Sequence, residues 1–181
     1  VGLGVSGKRV EDWSYNLGLT RSEGHDESHA SAGPSDSRNQ VIDLSLEGKL
    51  SPAWTQKISL YRASNRVVSS AAFPPSDIET DRRQLSWVNE LNLGFGGLTL
   101  GVDRMHDGVS NLNPQPGAFV FDQGMVTTGV YGQFLTEWAG NDLQLGLRRD
   151  RHSVFGSTNT YNLSLGRQLS NNWRVYASHG T

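Results

Sequence analysis

The sequence predicts an antiparallel, up-and-down β-barrel wall of about ten strands that crosses a membrane. Apolar residues recur at every second position, short and long connections alternate along the chain, and four of the five tryptophans stand beside short connections. The alternation gives each strand one apolar and one polar face. Alternating connections place the short turns at one end of the barrel and the long loops at the other.

The strands are predicted in order from the alternating runs, which are clearest at residues 98–102, 143–147 and 161–165. Several approach the length that a tilted strand needs to cross a bilayer. In one strand, 122–137, two sets of apolar residues compete for the outer face, and its orientation stays open. We predict strands at residues 1–7, 12–23, 38–50, 53–66, 81–95, 97–107, 122–137, 141–152, 157–169 and 172–181.

The connections between these strands are of two kinds. Trp13, Trp54 and Trp173 each begin a strand after a short turn, and Trp138 stands beside another. An indole ring suits a membrane interface because it is apolar apart from one N–H donor, and this interpretation is favoured over tryptophans that close the bottom of a soluble barrel. Short turns are predicted at 8–11, 51–52, 96–97, 139–141 and 170–172, and long loops at 24–37, 67–80 and 108–121, with a shorter one at 153–156.

Composition limits the possible functions. The mean hydropathy is -0.48, and no run approaches the roughly 18 apolar residues of a membrane helix. The net charge is -2 without a basic cluster, so nucleic acid is not an expected partner. The absence of cysteine removes disulfides and cysteine-bound metals from consideration.

Four stretches carry a resemblance to a known family: LTLGVD at 98–103, TGVY at 128–131, LGLRRD at 145–150 and WRVYASHGT at 173–181. From about Arg82 onward the chain resembles the C-terminal half of the barrel of TonB-dependent outer-membrane receptors, and most closely the cobalamin (vitamin B12) transporters. The first eighty residues resemble that barrel only in having barrel-like hairpins, and their loops have diverged. Because the chain opens and stops within strand-like runs, we expect a segment of a longer protein.

The resemblance implies a transporter of Gram-negative bacteria rather than an enzyme. Residues 1–181 would be one partial barrel domain, about ten strands of a barrel of about 22 that a separate plug domain fills. The plug and the TonB-contacting segment would lie N-terminal to this chain and are absent from it. The implied partners are outer-membrane lipid, TonB, and a scarce small ligand such as cobalamin or a similar metal chelate.

Candidate binding residues fall in the predicted loops. Exposed aromatic and amide side chains can contact a large ring system by stacking and hydrogen bonds, although they can also line the interface or stiffen a loop. Oxygen donors near His25 and His29 suit calcium, although a solvated loop explains them as well. The ligand candidates are Phe73, Asn113 and Phe119, and the calcium candidates are Asp26, Glu27 and Asp36.

Two other functions remain open from the residues alone. An omptin-like protease is a ten-stranded barrel in which an Asp–His pair faces two acidic residues, and Asp150 with His152 opposite Glu79 and Asp81 would provide them. A soluble, ligand-binding barrel would instead turn its leucine faces inward. A requirement for detergent would distinguish a lipid-facing belt from that soluble barrel.

Overall fold

In the computed structural model, ten antiparallel strands form one open sheet in chain order. The structure describes residues 1–10, 12–27, 34–69, 76–111, 119–170 and 172–181. Among them, no helix is long and apolar enough to span a membrane. The strands are Gly2–Val10 (β1), Trp13–Glu27 (β2), Pro34–Ser51 (β3), Trp54–Ser69 (β4), Ser76–Asn92 (β5), Gly97–Asn111 (β6), Phe121–Trp138 (β7), Asn141–His152 (β8), Gly156–Ser170 (β9) and Trp173–Gly180 (β10).

The pairing register separates the sheet into an apolar face and a polar face, because directly paired residues point to the same side. One apolar row runs across four strands through Leu17, Leu44, Leu60 and Leu85. A second row crosses six strands, and the two rows with their apolar neighbours define the apolar belt. The second row consists of Trp54, Leu91, Leu98, Phe134, Leu145 and Leu163.

The same register settles the orientation of β7, which alternation alone left open. Phe134 pairs with Leu98 and Leu145, and therefore lies on the apolar face. Tyr131 pairs with Arg148 and lies on the polar face. Val126 and Val130 share the face of Phe134, whereas Leu135 shares that of Tyr131.

The belt is not covered by a second layer of structure. Among the described residues no hydrophobic side chain is buried, and Leu44 and Leu60 remain 41% and 48% exposed. A soluble sandwich or a barrel with inward-facing leucines would bury these side chains in a core. The expectation of a lipid-facing belt is therefore consistent with the exposed face, and the soluble alternative is not.

Several strands extend further than predicted. β2 continues to Glu27, β3 begins at Pro34, β5 begins at Ser76 and β6 continues to Asn111, all inside segments predicted as long loops. The predicted turn at 8–11 is also shorter, since β1 runs to Val10. Both faces of the long extensions carry polar residues, so they lack the alternation used for prediction, yet the backbone ladder continues.

The short-turn end matches the sequence analysis closely. Trp13, Trp54 and Trp173 each begin a strand, and Trp138 ends β7. The turn after Trp138 has positive φ at both Ala139 (47°) and Gly140 (74°), as a tight type I′ hairpin requires. The tryptophans therefore mark one end of the belt.

Candidate ligand-binding wall

A concavity of about 600 Å³ lies on the polar face near the long-loop end of the sheet. It extends from β3 to the β8–β9 turn, which a flat sheet cannot bring together, so the polar face is the concave one. Its floor is one cross-strand row of paired residues, with Tyr61 nearby and the turn residues Val154 and Phe155 at its edge. The row is Val41, Ala63, Arg82, Asp107 and Met125.

An ion pair lies in the middle of this floor. Arg82 Nε donates a hydrogen bond of 2.5 Å to Asp107 Oδ1. That hydrogen bond and the charge of Asp107 raise the pKa of Arg82 above its ordinary value. The concavity thus offers a fixed cation and a carboxylate between apolar side chains, which is typical of sites that orient a ligand by a few polar groups.

The β8–β9 turn is fixed beside the concavity by His152. Its Nδ1 accepts hydrogen bonds from the backbone N–H groups of Val154 (3.1 Å) and Phe155 (3.2 Å). The ring proton therefore belongs on Nε2, which lies 3.2 Å from Met125 Sδ and donates to it. Ser153 makes two hydrogen bonds with Val126. Its backbone N–H donates to the carbonyl oxygen of Val126, and its hydroxyl oxygen accepts from the backbone N–H of Val126. These contacts hold Phe155 at the rim with 81% of its surface exposed.

A second polar cluster lies deeper on the same face. Arg148 makes two hydrogen bonds to Asp103, of 2.9 and 3.1 Å, and two to Asp150, of 2.8 and 2.7 Å. Its guanidinium carbon lies 5.4 Å from the centre of the Tyr131 ring, in cation–π range. Gly129 pairs with both aspartates, and a Cβ there would lie 2.2 Å from the Arg148 guanidinium. Three of the four stretches that carry the family resemblance therefore meet in this cluster.

The protease arrangement is not formed. Asp150 is bound by Arg148, and the His152 ring is directed to Met125 and to its own turn. Asp81 and Glu79 lie on the opposite face of the sheet, where Asp81 accepts hydrogen bonds from Arg62 and Arg83. The alternative arrangement, an aspartate–histidine pair opposite two acids, is therefore not formed.

The predicted ligand residues are only partly covered by the structure. Phe73 and Asn113 lie outside the described residues. Phe119 precedes β7 and is 74% exposed, and it is not among the described residues that line the concavity. The sequence analysis missed Tyr61, Arg82 and Phe155 as lining residues, although Phe155 is the single aromatic of the predicted loop at 153–156.

The calcium candidates lie at the long-loop ends of β2 and β3, where the two strands are still paired. His25 Nδ1 is 2.6 Å from Asp36 Oδ1, and its Nε2 is 3.6 Å from Glu27 Oε1. The hydrogen bond and charge of Asp36 raise the pKa of His25 above 6.5. Asp26 pairs with Ser35 on the other face of the hairpin. Among the described residues no group of three or more His, Asp or Glu side chains is placed to hold a metal.

Comparison with known families identifies the wall. A family model described as "TonB dependent receptor-like, beta-barrel" matches residues 4–181. The chain belongs to this family. As a TonB-dependent receptor barrel, it is a protein of the bacterial outer membrane, and its family consists of receptors rather than enzymes.

Solved structures of similar fold include an iron transporter, a siderophore receptor and a ferric enterobactin receptor. This receptor segment aligns over 99% of its length with 35% of the FrpB iron transporter from Neisseria meningitidis, with a TM-score of 0.80 and 12% identity. It aligns over 98% of its length with 32% of the siderophore receptor PirA from Acinetobacter baumannii (TM-score 0.69, 14% identity). The ferric enterobactin receptor from Pseudomonas aeruginosa gives a TM-score of 0.50 at 15% identity, covering 98% of this chain and 40% of that one.

These likenesses establish the fold of the receptor segment, since all three identities are low. The segment spans about a third of the first of these chains, 35%. A search of curated proteins gave no match.

Proposed function

We propose that this chain forms part of the wall of a TonB-dependent receptor that imports a metal chelate across the outer membrane. The concavity on the polar face carries this proposal, because it opens near the long loops and combines a charged pair with exposed aromatic rings. Long loops face the exterior in bacterial outer-membrane barrels. A ligand arriving from outside would therefore meet Phe155 first and the Arg82–Asp107 pair beneath it.

A ferric siderophore is the ligand class that we favour. The neighbouring folds include a protein named as an iron transporter and others named as siderophore or ferric enterobactin receptors. Cobalamin is the second candidate, supported by the resemblance of residues 98–103, 128–131 and 145–150 to the cobalamin transporters. Both ligands are bulky metal chelates, and both would need a wall that offers rings and hydrogen bonds together.

Transport also requires a closed barrel. The edge strands β1 and β10 each pair with a single neighbour among the described residues. Unpaired backbone groups cost several kcal/mol each in lipid, so we propose that further strands of the receptor pair with both edges. A barrel of about 22 strands with an internal plug, driven through TonB, is the architecture that such receptors use.

Binding to the full-length receptor, purified in detergent, tests the ligand class. Titration with ferric enterobactin and with cyanocobalamin, followed by tryptophan fluorescence, should give saturable binding of the iron chelate. The double variant Tyr61→Ala/Phe155→Ala should weaken that binding about tenfold, or roughly 1.4 kcal/mol, because two stacking rings are lost. Val120→Ala removes an exposed apolar side chain outside the concavity and should leave the affinity unchanged.

The outcomes separate the two ligands. Binding of cyanocobalamin alone would overturn the siderophore assignment and favour the second candidate. Uptake of neither ligand by intact cells, or uptake that persists without TonB, would overturn the transport proposal itself.

The loop candidates extend the same site. We propose that Phe73, Asn113 and Phe119 contact the ligand from the long loops, and alanine substitution of each should weaken binding by the full-length receptor. Calcium at Asp26, Glu27 and Asp36 likewise stays a proposal. Calorimetric titration with calcium should release heat that Asp36→Asn abolishes, and no heat would disprove the site.

A further inference from the structure

The outward, apolar face carries a group of arginines at the long-loop edge of the belt, where Arg104 pairs with Leu85. Arg104 follows Val102 along β6, and Arg149 follows Leu147 along β8, each two residues further toward the long-loop end. Arg151 lies two residues beyond Arg149 on the same face. All three side chains are exposed. They therefore stand where the apolar surface of the wall gives way to polar surface.

The register brings these arginines together on neighbouring strands. Arg104 and Arg151 pair with the same residue, Thr128, from opposite sides. Their strands are consequently separated by one intervening strand, about 10 Å between backbones. Arg149 lies beside Val130 and pairs on its other side with Asn159. We call Arg104, Arg149 and Arg151 the arginine patch, which Thr128 and Asn159 flank.

The patch differs from the neighbouring arginines in its lack of carboxylate partners. Arg62 and Arg83 share Asp81, at 2.9 and 2.6 Å. Within the described part of the chain, none of the patch arginines lies within ion-pair distance of a carboxylate. Asp150 lies between Arg149 and Arg151 in sequence, but it points to the polar face and binds Arg148. Three positive charges therefore face outward without a carboxylate partner among the residues that the structure describes.

We propose that the arginine patch binds the phosphates of an anionic lipid headgroup in the outer leaflet. The patch is continuous with the lipid-facing belt, so a lipid whose chains pack on Val102, Val130 and Leu147 would place its headgroup at this level. Guanidinium groups bind phosphate in bidentate fashion and are favoured for that purpose. The Thr128 hydroxyl and the Asn159 amide can donate further hydrogen bonds.

The experiment uses the full-length receptor and a lipid probe with matched variants. Native mass spectrometry would count bound molecules of lipid A, a doubly phosphorylated glycolipid, and of its dephosphorylated form. Arg104→Gln/Arg149→Gln/Arg151→Gln should weaken binding of the phosphorylated form by about fivefold per arginine, on the order of 100-fold in total. Substitution of all three by lysine should retain most of it, since the charge remains.

A matched control lies on the same face at the opposite end of the belt. Arg167 pairs with Asn141 and Val175 near the short turns, and it is exposed. Arg167→Gln removes the same charge and should leave binding of the phosphorylated lipid within twofold of the unmodified receptor. The proposal would be overturned if the triple glutamine variant bound the phosphorylated lipid as well as the unmodified receptor does. It would also be overturned if the receptor bound the dephosphorylated lipid as well as the phosphorylated one. Competition by millimolar inorganic phosphate would identify a free-anion site instead, and would also overturn it.

Discussion

The two faces of β8 place different chemistry on adjacent residues. Leu145 and Leu147 belong to the apolar belt, whereas Gly146 and Arg148 between and beside them face the concave side. On the apolar face the charges of the described residues lie at the edges of the belt, where Arg104 pairs with Leu85. On the polar face, at the same depth, Arg148 is held by two aspartates.

The difference reflects the two environments of the strand, which are lipid on the apolar face and a polar interior on the concave face. Lipid cannot compensate a charge, so the apolar face carries none within the belt. The concave side is polar, so it can carry charges, and Arg82 and Arg148 there are paired with aspartates. Glycine allows close packing where a large side chain crosses a neighbouring strand. Gly101, for example, lies beneath the Tyr131 ring, where a Cβ would be 2.2 Å from the ring. Each face should therefore respond to its own kind of substitution.

The largest effect is expected from placing a charge in the belt. Leu145→Arg should destabilise the full-length receptor by about 2–4 kcal/mol, because an arginine at mid-membrane depth must either lose its hydration or bring water into the bilayer. Urea unfolding of the receptor in phospholipid vesicles measures this loss. The control Gln144→Arg puts the same residue one position away on the polar face and should cost less than 1 kcal/mol or so. Equal losses in both variants would refute the assignment of faces.

A smaller effect is expected from crowding the arginine cluster on the polar face. Gly129→Ala should cost about 1–2 kcal/mol, because the new methyl group displaces Arg148 from one of its carboxylates. Gly132→Ala lies on the same strand but on the apolar face, where the nearest atom is Leu100 Cδ2 at 3.3 Å. Urea unfolding should therefore show a smaller loss of stability for Gly132→Ala than for Gly129→Ala. If Gly129→Ala costs no more than Gly132→Ala, the arginine cluster tolerates the methyl group and the prediction is wrong.

The sequence predicts the wall better than the site, and the residues explain why. Leucines at 143, 145 and 147 reveal a strand and its outward face, because period-two alternation is a local property. Alternation predicts loops for the extensions of β2 and β5, since charged and polar residues occur on both faces and only pairing with the neighbouring strand defines them as strands.

The lining of the concavity depends on register, which alternation does not provide. Ala63, Arg82 and Asp107 form one row only because β4, β5 and β6 pair with no slip between them. The motifs at 98–103, 128–131 and 145–150 did point to residues that meet, since Asp103, Gly129 and Asp150 converge on Arg148. Sequence similarity marked the three stretches, whereas the convergence of their residues on Arg148 was not deducible from spacing.

The smallest effect concerns the outward face beyond the belt, where water again allows charges to pair. The hydrogen bond to Asp36 raises the pKa of His25 above 6.5. The stabilisation of the folded state by this pair is therefore fully present below pH 6.5, and it is lost as the pH rises through the raised pKa and His25 loses its proton. Asp36→Asn should return the pKa of His25 toward 6.5, as measured by NMR titration of labelled histidine in the full-length receptor. Glu27→Gln should lower it less, because that carboxylate is 3.6 Å away rather than 2.6 Å. An unchanged titration in Asp36→Asn would mean that the strand extension is not held by this pair, and that the charged ends of β2 and β3 depend on backbone pairing alone.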